Sequence, residues 1–165
     1  KARGAKIYLI TNIEEFAKVV YNKKDIFFIG RYTDYAVSLE GSLKLKEISY
    51  IHSEAYAAGE LKHGPIALIE DGVTVVGIAT NPDLVEKTMS NLEEVITRGA
   101  NVMIVSNQVL PDAKISCNIE IPECSPLLSP ILSVVPLQLF AYYIAKDKNL
   151  DVDKPRNLAK SVTVE

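Results

Sequence analysis

Residues 26–30, Ile-Phe-Phe-Ile-Gly, are apolar without a break and end on glycine. A strand with one face in water alternates apolar and polar residues, whereas a run with no polar member needs cover on both faces. Two further stretches are nearly as apolar: 73–79, Val-Thr-Val-Val-Gly-Ile-Ala, and 101–106, Asn-Val-Met-Ile-Val-Ser. Segments of helical period separate them. Residues 13–21 carry apolar side chains at 13, 16, 17, 19 and 20, behind a Thr11-Asn12 pair that reads as an N-cap. Asn81-Pro82-Asp83 opens a helix that runs to Arg98 and stops at Gly99. Residues 134–146 predict an apolar helix with Pro136 in its first turn. Residues 53–56 and 115–121 read as short strands, and 7–10 as a strand or a connector. Such alternation predicts an α/β fold, a parallel sheet flanked by helices on both faces, in one domain over residues 1–165. Only the end, 151–165, departs from the pattern and reads as an irregular C-terminal tail.

Charge and composition exclude several classes of function. The net charge is −3 and no basic cluster stands out, so no nucleic-acid partner is expected. No apolar run approaches about 18 residues, so no membrane partner is expected either. Cys117 and Cys124 lie seven apart with no histidine near them, which does not make a zinc site. Reduced thiols in a cytoplasmic protein without metal or cofactor are the expectation. The chain opens on Lys1 rather than Met, which fits a piece of a longer polypeptide.

The chemistry concentrates in residues 39–65. Residues 36–50 predict a helix with no internal proline. Advanced by about 100° per residue, Glu40, Lys44 and Glu47 fall on one narrow stripe. Tyr35, Leu39, Leu43 and Tyr50 lie on one side of it, and Val37, Leu45 and Ile48 on the other. Charges with apolar neighbours on both sides lose part of their water and perturb one another, which suits proton transfer near neutral pH. The same spacing fits a plain ion-pair ladder on a solvated face. Upstream, strand, Gly30 and helix follow one another, an order that many α/β folds use to hold an anion, although one glycine is weak support for it. His63 sits in a turn-rich stretch, 57–65, where a lone histidine is ordinarily a structural group.

Two segments carry a family resemblance. Leu-Glu-Gly-Ser-Leu-Lys-Leu-Lys-Glu-Ile-Ser-Tyr-Ile-His with Glu-Ala-Tyr-Ala-Ala-Gly-Glu-Leu-Lys-His-Gly-Pro, and the closing Pro-Arg-Asn-Leu-Ala-Lys-Ser-Val-Thr-Val-Glu, resemble the isomerase half of the glutamine–fructose-6-phosphate amidotransferase family, the glucosamine-6-phosphate synthases. The resemblance spans about residues 26–165 and implies the sugar-isomerase (SIS) fold. It implies the second of two such domains, with the glutaminase and the first isomerase domain absent from this chain. It also implies amino-sugar biosynthesis toward UDP-GlcNAc, making glucosamine 6-phosphate from fructose 6-phosphate and glutamine-derived ammonia, in a homodimer.

Roles follow residue by residue. Lys160 resembles the lysine that forms a Schiff base with the open-chain sugar. Glu47 resembles the carboxylate that moves the proton between C2 and C1, and Lys44 the lysine that assists it. His63 resembles the ring-opening histidine that a neighbouring subunit supplies. Ala159 is implied to lend a backbone group to the sugar, and Glu40 stands with it on the substrate side, tuning Lys44. Arg156 and Asn157 are expected to fix the tail, and His52 to be structural. Such a tail argues against the other reading, a sugar-phosphate-binding regulatory module of the same fold without catalysis. One departure stands out: the family often has Gly-Arg-Gly after the first strand, and this chain has Gly30-Arg31-Tyr32. A positive φ at position 32 would strain a tyrosine.

Overall fold

A computed structural model describes residues 2–108, 110 and 114–158, with 2–10 as backbone only. The elements are α1 (Ala2–Val20), β1 (Asp25–Gly30), α2 (Thr33–Ser49), β2 (His52–Ala57), β3 (Thr74–Ala79), α3 (Val85–Ile96), β4 (Asn101–Ser106), β5 (Cys117–Glu120) and α4 (Ser129–Asp147). Two short 3-10 helices, Ala58–His63 and Pro65–Leu68, follow β2. The sheet order is β2-β1-β3-β4-β5, and every pairing is parallel. The expected architecture is present.

The apolar runs are explained by two cores. Ile26 and Phe28 of β1, Val76 and Ile78 of β3, and Met103 and Val105 of β4 point into one core, shared with α1, α2 and α4. The alternate residues Phe27, Ile29, Val75, Ala79, Val102 and Ile104 point into a second, shared with α3 and the first 3-10 helix. Side chains that alternate between two dry faces make every strand position apolar. Phe28 and Phe140 are fully buried in the first core, and truncating either to alanine costs about 3–5 kcal/mol.

Helix boundaries differ from the expectation in several places. Asn81-Pro82-Asp83 does not open a helix: 82–84 form a turn and α3 is Val85–Ile96, and α2 starts earlier than position 36, at Thr33. Thr11-Asn12 is not a cap: α1 runs through it, and 7–10 is helical rather than a strand. Neither residue breaks a helix; each lowers its propensity by a fraction of a kcal/mol, roughly 0.7 at most. Helix α4 begins at Ser129, with a proline in the first turn, so Pro130 is its start signal. Pro136 therefore lies inside the helix, not in its first turn. Among the described residues, no helix is long and apolar enough to cross a membrane.

The turn after β1 is tight. A Cβ on Gly30 would sit 2.5 Å from the backbone of Asp34, so only glycine lets α2 start there. Tyr32 has φ 55 and ψ −122, so the departure from glycine does fall on a positive-φ position. Strain of this kind costs about 1–3 kcal/mol and persists only where the surroundings impose it.

Candidate active site

Helix α2 holds the charged stripe in one piece. Lys44 Nζ lies 2.6 Å from Glu47 Oε2 and 3.7 Å from Glu40 Oε1. The three side chains are 42 % (Glu40), 32 % (Lys44) and 26 % (Glu47) exposed, so the stripe is partly shielded rather than a solvated ladder. The hydrogen bond to Glu47 raises the Lys44 pKa above 10.5, and burial opposes this without cancelling it. Lys44 is therefore an ammonium at neutral pH, suited to holding negative charge and unsuited to attacking a carbonyl. Leu39 and Leu43, on the flank, are about half exposed.

An open cleft of 470 Å³ begins at Glu47. Leu43, Lys46, Tyr50 and His52 contribute to one wall, and Arg156, Asn157 and Leu158 of the tail to the other. The tail is tied down at Tyr50. Its hydroxyl accepts the Arg156 backbone N–H at 2.8 Å, and its ring lies 4.1 Å below the Arg156 guanidinium carbon. Close by, Lys148 at the end of α4 donates to the Ser49 carbonyl at 2.7 Å. Burial, and secondarily the Arg156 charge, lowers the Lys148 pKa. Arg156 does fix the tail, as expected. Lys160 and Ala159 lie outside the described residues. His52 lines the cleft, but its Nδ1 is 2.7 Å from Asp25 Oδ1, a pairing between neighbouring strands.

His63 stands elsewhere. Helix α2 returns to the start of β2, whereas His63 follows the end of β2, so six residues of strand separate the two sites, roughly 17–20 Å. Its support is firm. Ala58 and Leu61 are buried in the second core, Lys62 pairs with Glu94 at 2.8 Å, and the Arg31 guanidinium would press on any Cβ at Gly59. On that base the His63 side chain is 71 % exposed, with Nδ1 2.7 Å from Glu60 Oε2. A turn packed on the second core thus carries an exposed imidazole, at the other end of β2 from the Glu47 of its own chain. Among the expected residues, the structure joins Glu40, Lys44 and Glu47 and leaves His63 apart.

The first turn of α2, after the strand–glycine turn, carries a buried carboxylate. Asp34, 1 % exposed, accepts hydrogen bonds from Thr80 N (2.8 Å), Thr80 Oγ1 (2.5 Å) and Asn81 N (3.4 Å). The carboxylate ties the first turn of α2 to the residues that follow β3. Sequence reasoning missed both Asp34 and Tyr50. Asp34 joins residues 46 and 47 positions away, and the Tyr50–Arg156 contact spans 106. An aspartate in the first turn of α2 was a readable signal, but its partner was not.

Comparison with known proteins agrees with the fold. The SIS domain family matches residues 20–145. The chain is 60 % identical over 157 residues to a Clostridium perfringens glutamine–fructose-6-phosphate aminotransferase (isomerizing), covering 93 % of this chain and 26 % of that one. It is 52 % identical over 156 residues to one from Sphingobium yanoikuyae, covering 93 % of this chain and 100 % of the relative. A solved C-terminal domain of glucosamine-fructose-6-phosphate aminotransferase from Francisella tularensis superposes with a TM-score of 0.85 at 38 % identity, over 92 % of this chain and 43 % of that chain. The chain thus spans about a quarter of the Clostridium relative's length.

Proposed function

The chain belongs to the SIS domain family, as a C-terminal domain of the glutamine–fructose-6-phosphate aminotransferases, and from that premise we propose that it is the isomerising half-site of such an enzyme. Its substrate is open-chain fructose 6-phosphate and its product glucosamine 6-phosphate. The observation that carries the reading is a shielded carboxylate, Glu47, paired to an ammonium in a cleft that the C-terminal tail crosses.

Lys160, deprotonated, adds to the C2 carbonyl and expels water to give an imine. Leu158, two residues before Lys160 in the sequence, lines the cleft, which supports this role. Glu47 then takes a proton from C1 and returns it to C2, so that C1 becomes the aldehyde and nitrogen stays on C2. Lys44 supplies positive charge beside the intermediate that carries the displaced electrons. Ala159 offers a backbone group to the sugar, and Glu40 holds Lys44 from its other side. Before Glu47 moves that proton, while C2 is still the imine carbon, ammonia from a glutaminase domain elsewhere in the polypeptide adds to C2 and expels Lys160 as the free amine, so that the nitrogen left on C2 is the one from ammonia. A homodimer brings His63 of one chain to the cleft of the other for ring opening. The enzyme acts in the cytoplasm, on the route to UDP-GlcNAc.

The test follows solvent deuterium entering C1 and C2 of the sugar in the full-length polypeptide. Glu47→Gln is expected to abolish entry while sugar binding persists. Unchanged entry in Glu47→Gln, or full activity in Lys160→Ala, would leave a regulatory sugar-binding module as the better reading.

A further inference from the structure

We infer that Tyr50 registers the C-terminal tail over the Glu47 cleft, an inference that rests on the isomerase reading above. Tyr50 caps α2 with φ 60 and ψ 17, a left-handed conformation in which glycine is the usual residue. Its backbone N–H closes the helix on the Lys46 carbonyl, which any residue could do there. The tyrosine side chain has a separate task. Both of its contacts go to Arg156: one fixes the backbone of the tail, the other its cation. A bond to a backbone N–H sets which residue of the tail lies where, and a ring beneath a guanidinium sets its direction. Between α4 and Arg156 the tail is otherwise held by local bonds, with Asp151 Oδ1 accepting from the N–H groups of Asp153 and Lys154. Among the described residues, the bond to Tyr50 is the one tertiary hydrogen bond of 151–158.

The placement suits positioning. Glu47 and Tyr50 are three apart, one turn along the same face, and line the same cleft. Lys160 follows Arg156 by four residues, so slippage of the tail at Tyr50 by one residue moves the lysine by about 3.5 Å. A shift of that size takes a nucleophile out of bonding range.

Glycine separates this role from folding, because it suits the left-handed position and keeps the helix cap. In the full-length polypeptide, fructose 6-phosphate and borohydride should label Lys160. Tyr50→Gly is expected to lower the yield at least about tenfold with the unfolding midpoint unchanged or raised. Tyr50→Phe, which keeps the ring, should fall between, with faster hydrogen exchange at the Arg156 amide. Arg156→Ala, on the exposed tail, should lower labelling without touching the core. Labelling of wild type that persists undiminished in Tyr50→Gly and Arg156→Ala overturns the register role alone. No labelling of wild type overturns the isomerase reading itself.

Discussion

The two ends of α2 follow opposite rules. At the first, Asp34 is sealed at 1 % exposure and every bond it accepts comes from its own chain. At the other, Glu47 and Lys44 stay partly open, and the cleft that Glu47 lines is walled in part by a tail held at Tyr50. The closed end is a joint that ties α2 to the end of β3. The open end has charge that the fold does not consume. Charge at the first end is thus satisfied within the fold, while charged groups left partly open gather where the helix leaves the sheet.

The largest effect should come at the open end. Glu47→Gln is expected to slow proton transfer by about 10²–10⁴-fold, measured as deuterium entry, with the urea midpoint almost unmoved. The closed end should give the reverse. Asp34→Ala strands two N–H groups and a hydroxyl, and should cost on the order of 3 kcal/mol in urea unfolding. If Asp34→Ala left stability intact, or Glu47→Gln unfolded the domain, the contrast between the ends would fail.

A smaller effect concerns Lys44. Its pKa is raised in the fold, so its stabilising share is complete below about 10.5 and is lost as pH climbs through the raised value. Wild type should therefore lose stability faster than Lys44→Met at high pH, and the two curves should run parallel at neutral pH. Parallel curves throughout would mean that the pair with Glu47 contributes nothing. The smallest effect sharpens the tail's part. Arg156 helps burial to lower the Lys148 pKa, so Arg156→Gln should let Lys148 titrate somewhat higher by NMR.

Legibility in the sequence followed the range of the interactions. Strands buried on both faces announced themselves, because each residue of 26–29 meets a core directly. The stripe on α2 was readable for the same local reason: Glu40, Lys44 and Glu47 are one helical turn apart. Helix ends were misread where a local signal had two meanings. Thr11-Asn12 can cap or continue a helix, and of Pro130 and Pro136 the first marks the start of α4. Tyr32 was flagged by its departure from the resembled family's Gly-Arg-Gly, and its φ is positive. The partners of Asp34 and Tyr50 were not readable because they lie 46 or more residues away. The separation of His63 from Glu47 follows from β2 running between them, which only the sheet order makes plain.

That separation yields the most direct measurement. Full-length polypeptides carrying His63→Ala and Glu47→Gln should be inactive apart and then be mixed, unfolded and reassembled together. If His63 serves the neighbour's cleft, half of the dimers are hybrids with one intact site each, and activity returns to about a quarter of wild type. A mixture no more active than the single variants would contradict a site shared between chains.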